Sequence, residues 1–211
     1  MKKISIMKLS GVILLTCAGL ANANLLTNGD FEQAGIGGAE DAFGWFQTNP
    51  FVVTRVADVN PPGHGDFTML IQDNDANFHW ASQIVPATAG QEYTASAEFK
   101  AKLNAGEAAW VLIDWFDAAD QVVGSFELSD DYAVGDGDYA DFAWVSRSVT
   151  AVAPAGTTQI GIRLFTSLDG LGDSGVWADN ADIVAIPEPA TMGLFGLMGG
   201  GLLWVRKRFK I

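Results

Sequence analysis

The stretch YTASAEFKAK (93–102) alternates without a break. Tyr93, Ala95, Ala97, Phe99 and Ala101 point one way, and Thr94, Ser96, Glu98, Lys100 and Lys102 the other. A period of two belongs to an extended strand with one buried and one solvated face, whereas a helical stripe needs a period of 3.6. QIGIRLFT (159–166) repeats the pattern, with Ile160, Ile162 and Leu164 inward and Arg163 and Phe165 outward. AWVLIDWF (109–116) is apolar at both parities, which predicts a central strand covered on both sides. FVVTRV (51–56), FTMLIQ (67–72), VVGSFEL (122–128), WVSRSVTAV (144–152) and VWADNADIVA (176–185) bring the predicted strands to about eight. Turn clusters separate them: NPPGHGD, TAGQ, NAGE, DAADQ, GDGD, APAGTT and LDGLGDSG. There is no convincing amphipathic helix and no internal repeat. The pattern predicts one all-β domain over 24–186, a sandwich or jelly roll.

The charge is divided along the chain. The net charge is −13, but Lys2, Lys3 and Lys8 lie at one end and Arg206, Lys207, Arg208 and Lys210 at the other. Between them, five cations against 25 carboxylates leave the middle at −20. Such a body repels nucleic acid, whose affinity comes from neutralised phosphates. It suits a secreted protein or one that binds cations. Cys17 is the only cysteine, so no intrachain disulfide forms, and a secreted domain must then rely on a large core or a metal.

Both ends read as addresses. MKKISIMKLSGVILLTCAGLANA has a basic start, an apolar centre and an Ala21-Asn22-Ala23 site, the pattern of a secretory signal peptide cleaved after Ala23. A lipoprotein signal using Cys17 is the competing reading, and Thr16 before it fits that pattern poorly. At the other end, residues 190–205 carry no charge and precede RKRFK. Sixteen residues fall slightly short of the roughly 20 that span a bilayer as a helix. The basic cluster would stay cytoplasmic, with the body outside. Five glycines, two of them in the Gly196-x-x-x-Gly200 spacing, make this a poor permanent anchor.

Pro187-Glu188-Pro189, a glycine-rich apolar segment and a terminal basic cluster, in that order behind a signal peptide, resemble the PEP-CTERM sorting signal. The resemblance implies transient residence in the inner membrane, recognition by an exosortase-type processing enzyme, cleavage near the Pro-Glu-Pro, and delivery to the surface or matrix of a Gram-negative bacterium. The expected division is a signal peptide over 1–23, a sandwich over 24–186 and a sorting signal over 187–211. The blocks LLTNGDFEQ, Gly44-Trp45, GHGDFTMLIQ, WASQIVPATAGQEYTASAEFKA, AWVLIDWFDAADQ, WVSRSVTAVAPAGTTQIGIRL and VWADNADIVAI resemble, in their order, the galactose-binding-like jelly rolls. Among these, xylan- and glucan-binding carbohydrate modules are the nearest in pattern.

That resemblance implies a structural Ca²⁺ where the first and last strands meet, with Glu32 and Asp179 as ligands. Read without it, Glu32 is a surface residue and Asp179 caps a turn. DNDAN (73–77) begins like an EF-hand loop, but Phe78 and Ile84 stand where Gly and Glu are needed. The resemblance also implies glycan binding, which needs exposed aromatic rings against which a pyranose stacks, with carboxylates or amides for its hydroxyls. Trp45, Trp80, Trp110, Trp115 and Trp144 are candidates for either platform or core. Trp110 and Trp115 have opposite parity, and Trp110 shares its face with Asp114.

Catalysis has little support in the sequence. GDSG (172–175) resembles the nucleophile loop of trypsin-like proteases without the rest of that pattern. Only His64 and His79 are available, and no carboxylate pair stands out. The expected role is a non-catalytic surface or matrix protein that binds exopolysaccharide or another glycan. A structural matrix protein bridged by Ca²⁺ and a polysaccharide hydrolase are the rivals.

Overall fold

A computed structural model describes residues 23–49, 52–57, 65–72, 78–104, 106–129, 143–168 and 174–187. The signal segment with Cys17, DNDAN (73–77), and the tail from Glu188 on, including Pro189 and the helix expected over 190–205, lie outside the described residues.

Twelve strands form: β1 (Ala34–Gly35), β2 (Gly38–Ala42), β3 (Phe46–Gln47), β4 (Val53–Ala57), β5 (Phe67–Gln72), β6 (Phe78–Pro86), β7 (Glu92–Lys102), β8 (Ala108–Phe116), β9 (Glu127–Leu128), β10 (Val145–Val152), β11 (Gln159–Ser167) and β12 (Gly175–Ile186). Two five-stranded sheets, in the orders β10-β7-β12-β5-β4 and β3-β6-β11-β8-β9, pack face to face, and β1-β2 make a separate hairpin. All pairings are antiparallel. No helix occurs among the described residues. The fold is a jelly-roll β-sandwich.

The alternation read from the sequence builds the core. Tyr93, Ala95, Ala97, Phe99 and Ala101 of β7 and Ile160, Ile162 and Leu164 of β11 are all buried in one core between the two sheets. Val111, Ile113 and Trp115 complete the layer from β8. The order of inner side chains thus fixes which residues the same strands must turn outward.

One expectation is corrected: VVGSFEL is not a full strand, since only Glu127–Leu128 pair with β8 and Val122 makes an isolated bridge to Phe116. β6 is a strand that the sequence pattern does not announce. Its inward residues include His79 and Gln83, and its outward ones Phe78, Trp80 and Ile84, so its polarity is the inverse of an ordinary half-buried strand. β8 lies between β11 and β9 and is buried at both parities, with only Trp110 and Phe116 partly exposed.

The segment that opens the sandwich is tied to its last strand. Asn24 Nδ2 donates to Ala181 O (3.0 Å), its Oδ1 accepts from Ile183 N (3.2 Å), and Leu25 N donates to Ile183 O (2.9 Å). Buried Gln83 holds the next residue from both sides, accepting from Thr27 N and donating to Thr27 O. The NGDFE loop (28–32) then runs against β12, where Ala181 N donates to Gly29 O (2.8 Å). Buried Arg55 on β4 fastens the same loop, donating to the carbonyls of Phe31 (2.5 Å), Glu32 (2.7 Å) and Ala39 (3.0 Å) while its guanidinium lies 3.4 Å from the Phe67 ring centroid.

Gly29 permits this approach: a Cβ there would lie 2.1 Å from the carbonyl oxygen of Ala181. Gly29→Ala is expected to destabilise the domain by about 3 kcal/mol, as forced overpacking against backbone does. A thermal melt unchanged by the substitution would contradict this docking of the loop on β12.

Candidate functional site

The outer face of the β3-β6-β11-β8-β9 sheet is where the unusual outward residues collect. Phe165 on β11 stands opposite Trp80 on β6 and Trp110 on β8 in the strand register. The three rings form a row across the sheet, with centroids 5.9 Å (Trp80–Phe165) and 5.7 Å (Trp110–Phe165) apart. Phe78 extends it, stacked on Phe165 at 5.2 Å. Such offset and tilted contacts are the favoured geometries of aromatic pairs. They hold the rings in place while leaving Phe78 well exposed and Trp80, Trp110 and Phe165 partly so.

Beside the row the sheet opens into a pocket of about 510 Å³. Phe46, Trp80, Ile84 and Phe116 line it, and Gly161 lies among them on the central strand. Gly161 stands opposite Ile84 and Asp114. A Cβ there would meet the Phe116 ring at 3.0 Å and Ile84 at 3.5 Å, so the missing side chain keeps this space open. A second hollow of about 250 Å³ lies among Trp110, Leu112, Phe126, Leu128 and Phe165.

Asp114 and Arg163 line both hollows. They form an ion pair, Arg163 Nε to Asp114 Oδ2 at 2.5 Å, and the guanidinium carbon lies 5.1 Å from the Trp80 ring centroid. Burial pushes the Asp114 carboxyl up, and Arg163 pulls it back down. A carboxylate that accepts and a guanidinium that donates thus sit together amid aromatic rings, the polar groups a sugar's hydroxyls require.

The structure brings Trp80, Trp110 and Asp114 together and leaves Trp45 apart. Trp45 is 6% exposed, packs on Phe31 with centroids 5.0 Å apart, and donates from Nε1 to Asn28 O (3.0 Å). It is a core residue tying down the NGDFE loop, which corrects its candidacy as a platform. Trp115 is 1% exposed and also core. Trp144 lies on the other sheet's side, its ring 5.1 Å from Lys100 Nζ, with Trp177 at 5.5 Å from the same atom. Phe46, Ile84, Phe116 and Phe165 were not singled out as site residues, although Phe165 and Arg163 were legible as outward.

Glu32 and Asp179 lie in a second, polar region. The NGDFE loop and a bulge in β12 between Asp179 and Asp182 flank a pocket of about 390 Å³ lined by Asn24, Asn28, Asp30, Gln33, Asn180 and Asp182 among others. Asn180 takes a left-handed backbone at the bulge. Asp179 is fully buried and accepts from Asn180 N (2.7 Å). Burial pushes its pKa up to about 8, with the charges of Asp30, Glu32 and Glu98 adding to the shift. One step beyond the Ala178–Met69 pair, β5 places Thr68, whose buried Oγ1 has no hydrogen-bond partner among the described residues. Glu32 is partly engaged elsewhere: its Oε1 accepts from the N–H of Asp66 (2.8 Å) and Phe67 (3.0 Å). No three carboxylates, histidines or cysteines converge on one point among the described residues. The donors are all hard oxygens in a negative surrounding.

Residues 185–208 match the PEP-CTERM protein-sorting motif. No curated protein matches the chain in sequence. Solved structures share its fold. The enzymatically active domain of bacteriophage CBA120 tailspike protein 4 is 17% identical with a TM-score of 0.56, over 77% of this chain and 21% of that one, so the chain spans about a fifth of its length. A Stig cyclase, Fisc, from Fischerella sp. TAU is 16% identical with a TM-score of 0.54, over 78% of this chain and 97% of that one. The carbohydrate-binding module TmCBM61, solved with beta-1,4-galactotriose, is 14% identical with a TM-score of 0.50, over 78% and 99%. The chain therefore carries a PEP-CTERM protein-sorting motif directly behind a jelly-roll β-sandwich.

Proposed function

We propose that the protein is an exported surface or matrix component whose sandwich binds a glycan, without catalysis, on the outer face of the β3-β6-β11-β8-β9 sheet. The observation that carries the reading is the row Trp80–Phe165–Trp110 beside the Gly161 pocket. A pyranose stacks its C–H face on such rings, and buried hydroxyls exchange water for protein partners. Arg163 would donate to ring or hydroxyl oxygens, and Asp114 would accept from hydroxyls. The presence of a carbohydrate-binding module among the structures sharing this fold agrees with the reading. Among the described residues, Asp114 is the only carboxylate lining either hollow. Delivery would follow the tail: an exosortase-type enzyme would recognise it in the inner membrane and act near Pro187-Glu188-Pro189, passing the body to the surface or medium.

Ca²⁺ belongs to the proposal as a structural ion. Asp179, Glu32 and the Thr68 hydroxyl would hold it, offsetting the burial, and the smaller repulsion from Asp30, Glu32 and Glu98, that oppose ionisation of Asp179. Its task there is to join the first loop to the last strand, not to take part in sugar chemistry.

Two outcomes are expected. In titration calorimetry against xylan, glucan and galactan oligomers and bacterial exopolysaccharide, Trp80→Ala and Trp110→Ala should each weaken a saturable binding by about tenfold or more, the scale of about 1–3 kcal/mol per stacked ring. Binding unaffected by both changes would remove the aromatic face from the proposal. The second outcome concerns pH. With a chelator present, folded Asp179 keeps its proton up to about pH 8, whereas unfolded Asp releases it near 4. Stability from this group is therefore full below about pH 4 and is lost as pH rises through 8, by at most about 1.4 kcal/mol per pH unit. Melting temperatures measured from pH 4 to 8 should fall less steeply in Asp179→Asn and with saturating Ca²⁺. A slope that neither change alters, together with no rise in melting temperature on adding Ca²⁺, would count against the ion.

A further inference from the structure

The sorting motif does not wait for a linker. Its match begins at Ala185, while β12 runs on to Ile186, so its first two residues are strand residues paired with Tyr93 and Glu92 of β7. Gln91 locks this end in place. Its Nε2 donates to Ile186 O, and its own carbonyl accepts from Ala153 N (2.9 Å). Gly90 N donates to Ala153 O (2.8 Å) and Ala87 N to Thr158 O (2.8 Å), so the 87–91 and 153–158 turns are bonded to each other around the exit of the chain. Only Pro187, Glu188 and Pro189 separate this cluster from the uncharged stretch 190–205. Three residues in the extended conformation that prolines favour reach about 9 Å.

The exit end shows TAGQ (88–91) and PAGT (154–157), small and uncharged turns. At the opposite end of the two sheets, β5 finishes at Gln72 and β11 at Ser167, and β12 begins at Gly175. The two ends are separated by the twelve residues of β12, about 40 Å at the rise of a strand.

We infer that, while the tail is held in the membrane, the sandwich stands end-on, with the 88–91 and 154–157 turns against the bilayer surface and the opposite end, where β5 and β11 finish at Gln72 and Ser167, turned away. The inference rests on the proposed membrane residence of the tail. The short tether leaves no room for the domain to invert. The aromatic row lies at the Phe165 end of β11, toward the outward end, where a long glycan can reach it before the tail is cut. Any processing enzyme must then work within about 10 Å of a folded domain, in the gap beneath these two turns.

The chain from Asn24 to Ile211 has no cysteine, so single cysteines can report position. Fluorophores on Ala89→Cys, Ala155→Cys and Gln72→Cys would be read in vesicles of phosphatidylethanolamine and phosphatidylglycerol containing headgroup-nitroxide lipid, after flotation. The two turn labels are expected to be quenched at least fivefold more than the label at Gln72. Ten Gly/Ser residues inserted between Ile186 and Pro187 should abolish the difference. Equal quenching at all three sites in co-floating protein, or stronger quenching at Gln72, would overturn the end-on placement. Failure of the chain to float with vesicles would instead overturn the membrane reading of the tail, and the inference with it.

Discussion

A strand has two faces, and the sandwich can be closed with only one of them. Burying Ile160, Ile162 and Leu164 obliges β11 to turn Gly161, Arg163 and Phe165 outward. The same rule commits β8 to Trp110 and Asp114 once Val111, Ile113 and Trp115 are inside, and β6 to Trp80 and Ile84 once Ala81 and Val85 are inside. The register then aligns these outward residues in rows. The site is thus a by-product of core packing at the level of geometry. A one-residue slip of β11 would exchange Phe165 for Leu164 and dissolve it.

This dependence explains what the sequence disclosed. β7 was readable because its faces follow the usual code, apolar inside and polar outside. The pairing of Trp110 with Asp114, and the opposition of Trp110 to Trp115, followed from parity alone. β6 was missed because the code is inverted there: Gln83 faces inward to hold Thr27, and Trp80 and Ile84 face outward to line the pocket. Trp45 lies on no long strand, so parity said nothing about it, and its role came from a long-range bond to Asn28 and the Phe31 ring. Phe46 and Phe116 reach the pocket through pairing partners distant in sequence, which no local pattern records.

The rest of the molecule holds this face in place from behind. Arg55 and Gly29 seat the NGDFE loop, and Asn24 and Gln83 tie residues 24–27 to β12 and β6. β12 is central to its sheet, carries the buried Asp179 beside that loop, and passes without a break into the sorting motif. Asn24, the NGDFE loop and the start of the sorting motif thus meet on one strand, away from the aromatic row.

The most direct test compares tryptophans within one molecule. Indole N–H resonances of Trp80, Trp110, Trp45 and Trp115 would be followed by NMR as xylan, glucan and galactan oligomers and exopolysaccharide fragments are added to the folded body. The account predicts saturable shifts at Trp80 and Trp110 for at least one of these glycans, with Trp45 and Trp115 nearly still. Shifts confined to tryptophans off this face, or no saturable shift with any of them, would contradict it.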